Sequence, residues 1–261
     1  MLFIDTHAHL YAEEFNSDID FVMSSAIDEG IGYFLLPNID KDSIPLMQKL
    51  VQSYPDNCFA MMGLHPCSVD GNFELQLKII ERQLFSEKYI AVGEIGMDLF
   101  WDKSFLNEQK KAFQKQIDWA VELNIPICIH CRDAFDEIYS ILNDNKSHLR
   151  QKKLRGVFHC FSGTFEQAQK VLELGFYLGI GGVVTFKNSG IDKVIEKVDL
   201  SKIILETDSP YLAPVPYRGK RNESKYILNI AYKIAEIKNE SIERIASITS
   251  ANAIELFQLK L

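Results

Sequence analysis

The sequence predicts an α/β fold, a single-domain (β/α)8 TIM barrel. Three observations carry that expectation. Short apolar runs of strand character alternate with helical patterns along the whole chain. There are eight such runs, and most are continuous rather than alternating, as in strands covered on both faces. No Ser/Gly-rich linker, low-complexity tract or charge block divides the 261 residues, and about 250 residues is typical of one such barrel. Residues 1–261 are therefore read as one domain. The competing fold is an open doubly wound sheet, which normally carries a Gly-rich phosphate loop after its first strand. Here the first run leads into His-Ala-His instead.

The predicted strands cover 3–5, 32–36, 58–62, 90–93, 127–130, 156–159, 176–180 and 203–206. Between the fourth and fifth, Leu106, Phe113, Ile117, Ala120 and Val121 mark one face of an amphipathic helix. It stops before Asn124-Ile125-Pro126, because proline disfavours helical geometry in the residue preceding it. Thr164-Phe165-Glu166-Gln167 has capping-box spacing and opens another helix, which closes at Gly175. From about Glu223 onward the pattern reads as two helices.

Composition narrows the function. The chain has 28 Lys and Arg against 36 Asp and Glu, a net charge of −8. That excludes a whole-surface nucleic-acid binder, though not an enzyme that grips nucleic acid locally. Charged residues at 25% and aromatics at 11% argue against disorder. The five cysteines are Cys58, Cys67, Cys128, Cys131 and Cys160, an odd number in a chain of this size. They argue against a disulfide framework and for a reducing compartment. Cys128 and Cys131 have CxxC spacing, but no second pair follows to complete a zinc ribbon. By strand alternation, Cys128, Cys131 and Cys160 are expected to face the helices as packing residues. The first residues carry no basic stretch or long apolar run, so no secretory signal is expected. The longest charge-free stretches, 57–69 and 174–186, reach about 13 residues, too few for a membrane span. The expectation is a cytoplasmic protein without a membrane partner, a monomer or weak oligomer.

Five of the six histidines and two carboxylates fall where predicted strands end. In a barrel those ends converge on one face, where active sites are built. His7 and His9 in Asp5-Thr6-His7-Ala8-His9 are two apart, so on a strand they point the same way and can grip one ion. Glu94 follows the fourth run between glycines that allow a tight turn. His130 and His159 end the fifth and sixth runs. Glu206 and Asp208 end the eighth and share a face, so either can reach the centre. Taken singly, each of these has an ordinary structural explanation. Together His7, His9, Glu94, His130, His159 and Asp208 exceed what one tetrahedral ion uses. They suit two divalent ions bridged by a carboxylate, the arrangement that clamps the attacking and leaving oxygens of a phosphoryl transfer. Nitrogen and oxygen donors without thiolate leave Mg, Mn and Zn all open.

These residues lie in motifs that resemble the TatD family of metal-dependent hydrolases. The motifs are Asp5-Thr6-His7-Ala8-His9-Leu10, Gly63-Leu64-His65-Pro66, Gly93-Glu94-Ile95-Gly96, His130-Cys131-Arg132-Asp133-Ala134, His159-Cys160-Phe161-Ser162-Gly163 and Glu206-Thr207-Asp208-Ser209-Pro210. The resemblance runs from residue 5 to about 222. It implies a TIM barrel of the amidohydrolase superfamily and, in many members, metal-dependent deoxyribonuclease activity. It implies one ion on His7, His9, Glu94 and Asp208 and a second on Glu94, His130 and His159. Three positions depart from the family pattern: Tyr11, where an acidic residue is frequent; Met97-Asp98-Leu99, where Leu-Asp-Tyr is common; and Ser224, where proline often stands. None removes a ligand.

The expected activity is metal-assisted hydrolysis of DNA, exonuclease-like. Asp208, with Glu94 beside it, orients a water and takes its proton. His65, Arg132, Lys187, Arg218 and Arg221 are the expected substrate contacts, a locally basic set in an acidic chain. Phe100, Trp101 and Tyr217 are candidates for stacking bases. The alternative keeps the site and changes the bond, to an ester or amide of a small molecule.

Overall fold

Phe3–Asp5 forms β1, and seven parallel strands follow it: β2 Ile31–Leu36, β3 Cys58–Ala60, β4 Val92–Asp98, β5 Ile127–Arg132, β6 Gly156–Phe158, β7 Tyr177–Ile180 and β8 Ile203–Leu205. The structure, a computed structural model, describes residues 1–151 and 153–260. Ladders join β1 through β3 and β4 through β8. Two seams complete the ring. Between β3 and β4, Met62 N donates to Ala91 O and Gly93 N to Met62 O, each at 3.1 Å. Between β8 and β1, Thr6 N donates to Leu205 O at 3.1 Å and Asp208 N to His7 O at 2.8 Å. The expected barrel is therefore closed.

The helices cover its outside: α1 Ile19–Asp28, α2 Ile44–Ser53, α3 Phe73–Ser86, α4 Leu106–Leu123, α5 Phe135–Asp144, α6 Lys146–Arg150, α7 Phe165–Glu173, α8 Ile191–Lys197, α9 Ile227–Lys238 and α10 Ile242–Phe257. Their ends follow the local signals. Asn124 terminates α4 in the left-handed region, at φ 54°. Thr164 and Gln167 form the capping box of α7, Thr164 N donating to Gln167 Oε1 at 2.9 Å. The tail folds as α9 and α10, as its periodicity predicts. Among the described residues no helix is long and apolar enough to cross a membrane.

Side chains alternate between two apolar layers, as the strand period of two requires. Phe34 and Leu36 of β2 pack under the helices, while Leu35 points inward. Ile4, Met61, Ala91, Cys128, Val157, Tyr177 and Ile204 join Leu35, so every strand or its flank supplies one residue to the barrel interior. This corrects the expectation for Cys128. It lies two residues before His130, so the pair shares a face, and Cys128 packs inside rather than against the helices. The fourth strand also differs from its expected bounds. It runs to Asp98 because the ladder with β5 continues through Gly96↔His130 and Asp98↔Arg132. Gly96 permits this: at φ 141° a Cβ there would lie 2.0 Å from His130 O.

Candidate metal centre

The C-terminal ends of the strands bring all six expected ligand residues to one rim. His7 and His9 follow β1, Glu94 sits within β4, His130 lies on β5, His159 follows β6 and Asp208 lies beyond β8. Asp208 adopts a left-handed backbone, φ 60°, which aspartate tolerates better than most residues. Asn222 holds that turn, its Nδ2 donating to Thr207 O and Tyr211 O, both at 2.7 Å.

Glu94, 2% exposed, divides the site in two. Its Oε2 lies 3.1 Å from His7 Nε2 and 3.5 Å from His9 Nε2. Asp208 Oδ1 stands 3.7 Å and 3.6 Å from the same two nitrogens. Glu94 Oε1 lies 2.8 Å from His130 Nδ1, 2.8 Å from His159 Nε2 and 3.2 Å from His65 Nε2. Each carboxylate oxygen thus serves its own cluster of nitrogens.

The outward nitrogens determine what the inward ones present. Tyr11 Oη donates to Pro37 O, so it must accept from His9 Nδ1, 3.0 Å away. His9 therefore turns a lone pair inward. His130 Nε2 donates to Asp98 Oδ2 at 2.9 Å, so its Nδ1 lone pair faces Glu94 Oε1. His65 is the reverse case. Its Nδ1 accepts from Cys67 N at 3.1 Å, so Nε2 carries the proton. His159 Nδ1 is backed by Glu206 Oε1 at 3.5 Å, and Cys128 Sγ lies 3.3 Å from His7 Nδ1. Glu206 fits behind His159 because Gly179 leaves room; a Cβ there would come within 2.3 Å of Glu206 Oε2.

Acceptors facing acceptors at these distances need a cation between them. His9 Nε2, Glu94 Oε2 and Asp208 Oδ1 converge in one cluster, His130 Nδ1 and Glu94 Oε1 in the other. Without a metal, protons fill that role. Burial opposes a charge on His130, but the Asp98 hydrogen bond and then Glu94 raise its pKa. Burial likewise opposes charge on His159, yet Glu94 and Glu206 lift it well above the usual value. Burial alone would raise Glu94; the charges of His159, His65 and His7 hold it well below the usual carboxylate range. Burial raises Asp208 to about 6. The donor set, nitrogen and carboxylate oxygen without thiolate, fits divalent ions.

Residues 4–258 match the family described as TatD related DNase. The chain belongs to this family. An uncharacterized metal-dependent hydrolase of Bacillus subtilis strain 168, YabD, is 39% identical, with 99% of this chain and 100% of the relative covered. A Citrobacter rodentium relative, described as the 3′-5′ ssDNA/RNA exonuclease TatD, is 32% identical over 98% of both chains. The crystal structure of the TatD homologue YjjV from Escherichia coli K12 superposes with a TM-score of 0.91 at 28% identity, covering 99% and 98% of the two chains. The protein is a metal-dependent hydrolase of the TatD type on a TIM-barrel fold.

The residues expected to contact substrate divide. Arg132, exposed at the end of β5, lies 3.9 Å from the Phe100 ring centroid and 5.1 Å from that of Trp101. Arg218 lies 4.5 Å above Phe186, and Lys187 is exposed beside it. Arg221 is engaged elsewhere. It donates to Asp18 Oδ1 and Oδ2 at 2.8 and 2.7 Å and to Glu223 Oε1 at 3.1 Å. Those carboxylates leave its guanidinium tied to α1 rather than turned to the rim. Tyr217 has one face covered by Tyr226, at 3.9 Å and 9°.

The sequence marks Asp98 and Tyr11 only as positions in or beside departures from the family pattern; their bonds to His130 and His9 come from the fold. The signal for Asp98 was its spacing: four residues after Glu94, it shares a face of the same strand.

Proposed function

We propose that this TatD-type hydrolase cleaves phosphodiester bonds of DNA, exonuclease-like, using two divalent ions. His7, His9, Glu94 and Asp208 hold one ion, and Glu94, His130 and His159 hold the other. The observation that carries this reading is the division of Glu94, each oxygen facing a separate cluster. When bound, the ions supply Lewis-acid stabilisation of developing charge and lower the pKa of a water.

The chain's own groups do the rest. Asp208 takes the proton of the attacking water; although burial raises its pKa, it remains a carboxylate at neutral pH. Glu94 orients the opposing donors. His65 directs its Nε2–H at Glu94 Oε1, 3.2 Å away, so its contact with the reacting phosphate or the leaving oxygen requires that bond to give way. Arg132, Lys187 and Arg218 hold flanking phosphates, and the exposed Trp101 beside Arg132 offers a base a face to stack on. All six proposed ligands come from one chain, so a monomer suffices. A cytoplasmic setting fits five cysteines that are all free thiols.

One feature favours the small-molecule alternative. A cavity of about 310 Å³ opens beside His159, lined by Asp133, Asp136 and Glu137, with no Lys or Arg among its described lining. A substrate panel decides between the readings: single- and double-stranded DNA, RNA and generic esters, with Mg, Mn or Zn added. Metal-dependent release of nucleotides from DNA is expected. Ester turnover with no cleavage of any nucleic acid overturns the nuclease reading.

A further inference from the structure

The barrel has a second basic surface, at the opposite end from the metal centre. Arg155 immediately precedes β6, Tyr177 opens β7 and Lys202 immediately precedes β8. These positions mark the N-terminal mouth, whereas His130, His159 and Asp208 mark the C-terminal one. A cavity of about 580 Å³ lies there, within the usual range for small-molecule sites. Lys146 and Arg150 of α6 line it together with Arg155 and Lys202.

Among the described residues, none of the four cations forms an ion pair. Every Lys or Arg ion pair among the described residues lies elsewhere, such as Arg221 with Asp18 or Lys225 with Glu223. Among the described residues, Arg155 donates to neutral oxygens, Asn124 Oδ1 at 3.2 Å and Asn124 O at 2.9 Å. Burial holds its guanidinium below the ordinary value, as desolvation of an unpaired cation should. In a chain of net charge −8, four cations against the two carboxylates of Glu173 and Glu255 around one cavity are a local inversion of sign. The remaining wall narrows the ligand. Leu154, Leu174 and Leu256 give it an apolar part, and Tyr177 a flat one with Lys202 Nζ 5.5 Å from its ring centroid. Glu173 and Glu255 also line the cavity and demand hydrogen-bond donors from whatever enters. A bare inorganic anion satisfies the cations but neither the ring nor the carboxylates.

We propose that this mouth of the barrel binds a small organic phosphate bearing a planar, hydrogen-bond-donating ring, of the nucleoside monophosphate class. The phosphate sits among Lys146, Arg150, Arg155 and Lys202, and the ring lies toward Tyr177. The site is separate from the cleavage centre and does not depend on which bond that centre hydrolyses.

Hydrogen exchange on the metal-loaded full chain locates binding directly, with deoxyadenosine 5′-monophosphate as probe and inorganic phosphate as the comparison. The nucleotide is expected to protect 146–155 and 173–177. The double variant Arg150→Glu with Lys202→Glu should lose that protection and about tenfold or more in affinity at this mouth. Its cleavage rate with the substrate the enzyme accepts should stay at the wild-type level, since neither residue touches the metal rim. Protection confined to the metal rim overturns the proposal, as does protection that survives the charge reversals. Equal protection by inorganic phosphate alone overturns recognition of the ring. If the double variant does not fold, the wild-type exchange pattern still decides, because absence of protection at 146–155 is sufficient to reject the site.

Discussion

Asp208 combines three properties that a general base needs: it is buried, its pKa is raised to about 6, and its Oδ1 stands within 3.7 Å of both histidines that follow β1. Asp208→Asn keeps the shape and removes the basicity. Single-turnover cleavage at saturating metal should fall by about 10²–10⁴-fold, while DNA binding survives. In the wild type the rate should rise as Asp208 loses its proton, so the acid limb of the profile is expected at or below pH 6, since a neighbouring cation lowers the pKa further. Wild-type cleavage by the variant would remove Asp208 from the mechanism. Asp98 makes a different prediction. Burial opposes its ionisation, but the His130 hydrogen bond holds it at about 2, so it is a carboxylate throughout the working range. Asp98→Asn should weaken metal binding at the His130 cluster by about 10–100-fold in a metal titration, with the His7 cluster little changed. Equal affinity at both clusters in that variant contradicts the role. At this scale the sequence revealed the ligands but not their partners. His7, His9, His130 and His159 stand out because histidine is scarce and strand ends converge. Tyr11, Cys128 and Glu206 look ordinary until the fold places them behind an imidazole.

The joint between β8 and β1 shows how an element is held by a residue outside its ladder. Only three residues form each of these strands, so few backbone bonds join them. Asp5, fully buried, adds a side-chain tie: Thr207 N and Thr207 Oγ1 donate to its two oxygens at 2.9 and 2.6 Å. Burial raises its pKa to about 7, and the bonds from Thr207 only partly offset this. An acid whose folded pKa lies above its unfolded value of 3.8 favours the fold most when protonated. Its contribution is fully present below about pH 4 and declines as pH rises through 7. Urea midpoints of Asp5→Asn and wild type should therefore run together at low pH, apart from a constant offset, and separate in favour of the variant between about pH 4 and 7, with no further change above. A difference that does not change with pH would mean that Asp5 titrates normally. Strand positions were legible from apolar runs and helix ends from Thr164, Asn124 and Pro126. The extension of β4 to Asp98 was not, because Gly-Met-Asp reads as a turn. It becomes a strand only when Gly96 lets the β5 backbone come close.

On the scale of the molecule, a net charge of −8 repels the polyanion that the rim is proposed to bind. Binding must then rest on a few local cations, and their number is measurable. Each phosphate neutralised on a single strand lowers the logarithm of affinity by about 0.7 per decade of salt. Arg132, Lys187 and Arg218 are free at the rim, while Arg221 is tied to Asp18 and Glu223. Three contacts predict a slope of about −2 for a short single-stranded DNA, shallow for a nucleic-acid enzyme. Arg218→Ala should bring it to about −1.4. Arg221→Ala should leave the slope unchanged and instead lower the melting temperature, because the loop after β8 loses its tie to α1. Sequence alone put Arg218 and Arg221 in one patch, since they stand three apart in a loop. The two carboxylates on Arg221 separate them, and the pair of variants tests that separation. A slope that falls equally in both restores Arg221 to the binding surface, and a slope near zero in the wild type removes the rim from DNA binding altogether.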